Sequence, residues 1–165
     1  MPNKTSLTLN IQLTGARETI KAFRGLPKEF QDGIRDGAGK ISEDMATWVR
    51  GALLADTRQS AVLADTVKVN RDRVPSITVG GAKRVTSSGA KAYQLLFGAN
   101  FGATTYRRPG RVPFFEHDHA GPGNDYVIWK TYLEHQGEVD ERWNAVADEA
   151  LAAWAAAQAL PGDEG

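Results

Sequence analysis

A chain of 165 residues is about one domain long and can bury a core of its own without covalent staples. It has no cysteine, which excludes a disulfide framework, a thiolate metal site and a cysteine nucleophile. Twenty basic residues balance twenty acidic ones, so a molecule-wide attraction to nucleic acid or anionic lipid is excluded and only local patches remain.

Met1 to Ser6 carries one lysine and is followed by no apolar run, and nowhere do roughly 20 consecutive apolar residues occur. A cytoplasmic chain with neither signal peptide nor membrane span is expected. Ser6 to Leu13 alternates strictly, with Leu7, Leu9, Ile11 and Leu13 on one side, which predicts a half-buried strand with an edge prone to pairing. Thr14-Gly15 ends it, and Ala16 to Phe23 predicts a short helix that stops at Gly25. From Pro27 the residues Phe30, Ile34, Ala38, Ile41, Met45, Trp48, Val49 and Leu53 recur at steps of three and four, which predicts one long amphipathic helix. Its four glycines (33, 37, 39 and 51) each cost about 1 kcal/mol against alanine, so packing must hold it. Gly33 and Gly37, one turn apart, would admit another backbone at close range.

Beyond the polar stretch Asp56 to Ser60, period two returns in Val67 and Val69 and again in Ile77 and Val79, which predicts a hairpin or meander. Residues 83–91, rich in Gly, Ser and basic side chains, and residues 103–124 are expected to be flexible loops. Between them lies the compact run Ala92 to Gly98. Tyr126, Val127, Trp129, Tyr132 and Leu133 are too dense in aromatic and apolar residues to be a solvated linker. Glu138 to Gln158 predicts the last helix, with Val139, Trp143, Val146, Ala150 and Trp154 on one face and Asp140, Glu141, Asp148 and Glu149 on the other. Residues 160–165 should fray. The expected architecture is therefore one α+β domain over residues 1–165, with a small, mainly antiparallel sheet packed against one long helix and a C-terminal helix.

Candidate chemistry is sparse. Glu116-His117-Asp118-His119, with Glu134-His135 further on, offers imidazole and carboxylate ligands for a divalent metal, but a polar loop accounts for the same residues and no spacing fixes a third and fourth ligand. Val79-Gly80-Gly81-Ala82-Lys83-Arg84 lacks the spacing of a phosphate-cradling loop and fits a β-turn. No serine sits in a glycine-flanked elbow. The basic elements Arg71/Arg73, Lys83/Arg84 and Arg107/Arg108/Arg111 suit either a nucleic-acid backbone or the acidic face of the last helix on a neighbouring copy. A small metal-dependent enzyme, a nucleic-acid-binding module and an assembly protein are thus the competing function classes.

A long helix leads to Thr57-Arg58-x-Ser60-x-x-Leu63-x-x-Thr66-Val67-x-Val69, then Ile77-Thr78-Val79-Gly80-Gly81, Ala92-Tyr93-Gln94-Leu95-Leu96-Phe97-Gly98-Ala99, Val112-Pro113-Phe114-Phe115 and a terminal helix. Over roughly residues 32–157 this succession resembles the neck and minor tail proteins of tailed bacteriophages, of the tail-completion or head-tail joining type. Thr57-Arg58-Gln59 replaces that family's usual Thr-Gly pair, Leu96 stands where an acidic residue is common, and Glu116 to Asp125 is an insertion. The resemblance implies a virion protein assembled in the bacterial cytoplasm, with neither active site nor cofactor. It also implies a closed homo-oligomeric ring, a hexamer or else a dodecamer, that joins or completes the tail at the portal vertex. A tail terminator capping the tail tube is the alternative within the family. Implied partners are further copies of the chain, the connector or stopper protein and the tail terminator or tube protein, with genome DNA passing unbound through the lumen. Arg107, Arg108, Arg111, Phe114 and Phe115, with Asp148 and Glu149, are the candidate subunit interface.

Overall fold

The computed structural model describes residues 8–12, 25–56, 58–71, 73–101 and 127–159. Their elements in chain order are β1 (Thr8–Gln12), α1 (Lys28–Ala55), the single turn α2 (Arg58–Ala61), a 3₁₀ turn (Ala64–Thr66), β2 (Lys68–Val69), β3 (Ser76–Gly80), α3 (Ala92–Phe101) and α4 (Val127–Ala159). The three strands form one antiparallel sheet in the order β1-β3-β2, packed on the long α1 and on the C-terminal α4. This is the α+β arrangement expected from the change of hydrophobic period along the chain.

α1 follows Pro27, and Gln31 N–H already donates to the Pro27 carbonyl at 3.2 Å. The stripe Ile34, Ala38, Ile41, Met45, Val49 and Leu53 is fully buried. Burying one large aliphatic side chain gains about 1.5–3 kcal/mol, so this stripe outweighs four glycines at about 1 kcal/mol each. Ile11 of β1 pairs with Ile77 of β3, and both are buried with Val79 against the helices. The other sheet face is polar, where the Thr78 hydroxyl exchanges hydrogen bonds with the Asn70 amide. Only one face of the sheet is therefore core.

Polar side chains tie the layers together. The Ser42 hydroxyl of α1 donates to the Ala38 carbonyl (2.8 Å) and accepts from Ser76 N–H at the start of β3 (2.9 Å). Arg50 donates to the Val67 carbonyl at 2.9 Å, and the Thr66 hydroxyl accepts from Gly80 N–H at 3.0 Å. Gln59, 1 % exposed, donates to the Leu95 carbonyl. The stretch Asp56 to Ser60, polar in sequence, is thus partly core, because Gln59 and Ser60 are buried and their polar groups are satisfied.

Two segments differ from their sequence-based expectation, and the compact run between them takes a definite form. Residues 83–91 close on themselves: Arg84 bridges Lys91, Val85 N–H donates to the Ala90 carbonyl (2.9 Å) and Ala92 N–H to the Lys83 carbonyl (2.8 Å). The positive φ of Gly80 (101°) and Gly81 (92°) starts this excursion. The run from Ala92 is the helix α3, with Ala92, Leu96 and Ala99 buried. α4 begins at Val127 rather than Glu138, so Val127, Trp129, Tyr132 and Leu133 belong to it. Ile128 and Tyr132 continue the stripe of Val139 and Trp143 back across Gly137, and their burial outweighs the glycine. The short helix expected over residues 16–23, the loop 103–124 and the tail 160–165 lie outside the described residues.

α1 and α4 run antiparallel, and Gly37 marks their close approach. A Cβ built on Gly37 would lie 2.6 and 2.7 Å from the two methyls of Val146, whereas one on Gly33 meets nothing within 4 Å. Gly37→Ala should therefore destabilise the fold by about 1–3 kcal/mol through overpacking, despite alanine's better helix propensity. Gly33→Ala should stabilise it by about 0.5–1 kcal/mol. Urea denaturation of the two variants checks the pair, and equal shifts would mean that the helices do not touch there.

Candidate assembly surfaces

Charge is balanced over the whole chain but not over its parts. Residues 57–101 hold Arg58, Lys68, Arg71, Arg73, Lys83, Arg84 and Lys91 against Asp65 and Asp72. α4 holds Glu134, Glu138, Asp140, Glu141, Asp148 and Glu149 against Lys130 and Arg142. The 84–91 bridge sets two cations opposite each other, an unfavourable pairing within one copy. Lys91 also lies 5.9 Å from the Tyr93 ring centroid. Arg84, Asp148 and Glu149 are exposed and have no ion-pair partner among the described residues. An open pocket of about 450 Å³ lies beside this basic hairpin, with Arg58 and the hydroxyls of Thr86, Ser87 and Ser88 at its wall.

A second surface is the groove of about 490 Å³ that runs between α1 and α4. Phe30, Gly33, Val146 and Ala150 contribute its apolar lining, and Asp36, Lys40, Arg142 and Glu149 its charges. Arg142 bridges the helices, donating to Asp44 at 2.6 Å and to Glu138 at 3.2 Å. The hydrogen bond to Asp44 is the chief cause that raises the Arg142 pKa. These groups are more than a third exposed, so the bridge sets helix register more than it adds stability.

Of the expected interface, Glu149 sits in this groove and Asp148 beside it on the exposed face, while Arg107, Arg108, Arg111, Phe114 and Phe115 lie outside the described residues. Glu116 to His119 lies outside them too. His135 stacks face to face on Trp48 (centroids 4.0 Å apart, planes at 5°), with Nδ1 3.8 Å from Glu138. Among the described residues no group of three or more His, Asp or Glu side chains could hold a metal, and no helix is long and apolar enough to cross a membrane. Sequence reasoning missed the exposed apolar pair Trp129 and Leu133, each 49 % exposed. Extending the stripe of α4 back across Gly137 would have shown it, since Ile128 and Tyr132 take the buried positions and leave Trp129 and Leu133 outside.

Comparison with protein-family models, with curated proteins and with solved structures yields no match for this chain.

The Tyr132 hydroxyl is buried without a hydrogen-bond partner among the described residues, beside a gap of about 10 Å³ lined by Ile11, Met45 and Val139. Burial raises its pKa above the ordinary 10.0, and Asp140 adds to the rise. The folded state thus holds the phenol proton more tightly than the unfolded chain. The resulting stabilisation is complete below pH 10.0 and is lost as pH climbs through the raised folded value. Tyr132→Phe should leave stability unchanged or raise it by up to about 1 kcal/mol at neutral pH, because no hydrogen bond is lost. It should also flatten the alkaline fall. Denaturation midpoints between neutral and strongly alkaline pH check both, and a large loss at neutral pH would reveal a partner for the hydroxyl.

Proposed function

We propose that this chain is a structural protein of the head-to-tail connection of a tailed bacteriophage, which acts by assembling as a homo-oligomeric ring and not by catalysis. The observation that carries this reading is the separation of charge just described. A ring needs two different, complementary patches on each subunit. The basic hairpin around Arg84 and Lys91 and the acidic outer face of α4 are such a pair, and charge complementarity of this kind fixes orientation and partner choice. The resemblance noted in the sequence supplies the context, with the portal-side connector and the tail proteins as neighbours of the ring.

Under this reading the purified chain forms a discrete ring in mass photometry or native mass spectrometry, alone or on meeting its connector or tail partner. Its association weakens as salt rises, because exposed charges are screened beyond about 8–10 Å near physiological ionic strength. The double reversal Arg84→Glu/Lys91→Glu should weaken association at least tenfold while leaving the circular dichroism spectrum unchanged. Assembly indifferent to both salt and reversal would remove these patches from the interface. Mass spectrometry of purified phage particles gives the location, and its absence from them would sink the neck assignment.

A further inference from the structure

We propose that copies of this chain join head to tail by seating the first turns of α4, led by Trp129 and Leu133, in the groove between α1 and α4 of the next copy. The proposal rests on the ring reading above and adds to it the lateral contact.

Trp129 and Leu133 are half exposed and one turn apart, so they form a single apolar ridge. The groove offers an apolar lining, and Gly33 in its wall leaves open space where any other residue would place a Cβ. Ridge and groove belong to the same helix but face apart. Trp129 and Glu149 are twenty residues from each other, about 200° around α4 and about 30 Å along it. No copy can therefore fill its own groove, and a two-fold pair cannot satisfy both surfaces at once. The contact passes from copy to copy in one sense.

Charge selects the occupant and its direction. The antiparallel helices bring Gly37 to Val146, Asp44 to Arg142 and Trp48 to His135, so position along the groove is known. Moving along α1, its wall reads Asp36 then Lys40. On the α4 wall Glu149 has no ion-pair partner among the described residues, whereas Arg142 is already paired with Asp44 and Glu138. The α1 wall thus runs from acid to base and the α4 wall adds an acid at the acidic end. The ridge carries Lys130 and then Glu134, base to acid with the same one-turn spacing, both exposed. Laid parallel to α1, an incoming α4 sets Lys130 beside Asp36 and Glu134 beside Lys40. The reverse direction sets like charge on like. A second copy of this chain therefore fits the groove in one orientation.

The test uses the full chain and three variants. Gly33→Trp puts a bulky ring into the groove from a position whose Cβ has open space, Trp129→Ala removes the ridge, and Lys130→Glu/Glu134→Lys inverts its charge order. Each should be folded by circular dichroism and monomeric by native mass spectrometry under conditions where the wild type is a ring. Mixing Gly33→Trp with Trp129→Ala should restore one contact and no more, giving a 1:1 heterodimer and nothing larger. A wild type that stays monomeric at every concentration, a variant that still forms the ring, or a folded mixture that does not pair would each overturn the proposal. The two readings fail separately. A ring that depends on these residues but is missing from phage particles sinks only the neck assignment. A Gly33→Trp ring that persists sinks only the ridge and groove.

Discussion

The close approach of α1 and α4 at Gly37 is the constraint on which the rest of the molecule depends. Val146 stands where a side chain on residue 37 would be, so the two helix backbones come together there. Further along α1 the Arg142–Asp44 bridge and then the Trp48–His135 stack hold the antiparallel register. The sheet is too small to form a core alone, since three short strands with one polar face need a second layer. Ile11, Ile77 and Val79 find it in the surface that the paired helices present. The same pairing leaves the groove on the outward side, with Gly37 and Val146 in its lining. Fold and candidate interface therefore share one contact.

Many of the described residues that carry the phage resemblance are structural. Leu63, Thr66 and Val67 are buried, Thr66 caps its own turn and ties it to Gly80, and Ile77 and Val79 form the middle of the sheet. Ala92 and Leu96 close the core from the side of α3. Such a pattern speaks about how the chain folds, because it is selected by packing and hydrogen bonding at those positions. What the protein does has to be sought on the surfaces that the pattern holds in place.

Much of the fold was legible because its periods are clean. The α1 stripe and the alternation of Ile77 and Val79 survive in the structure with their buried faces as expected. The hairpin at 83–91 was not legible as an ordered feature, because its order comes from backbone bonds and the Thr86 hydroxyl rather than from an apolar pattern. Nor was the start of α4, where Gly137 and a mixture of aromatic and polar residues hid a stripe that only tertiary burial completes. The candidate site was legible in part. Glu149 could be placed on an exposed acidic face from sequence, but its neighbours Asp36 and Lys40 are more than a hundred residues away in the chain. Only the packing of two helices brings them to one groove.

A net charge of zero is compatible with strong electrostatic organisation, and in this chain it has a physical consequence. Copies without net charge do not repel one another at long range, so opposite patches can meet without a barrier to overcome. Charge pairs at exposed positions contribute little each, and salt screens them, so they steer and orient more than they hold. In the proposed assembly holding falls to apolar surface, which the half-exposed Trp129 and Leu133 offer. The division of labour is spatial as well: the charges lie along the walls of the groove and beside the ridge, and the apolar groups lie between them. Under the proposed contact, ridge and groove look in opposite directions from one helix, so satisfying either surface creates the demand for another copy, and a closed series would leave none exposed.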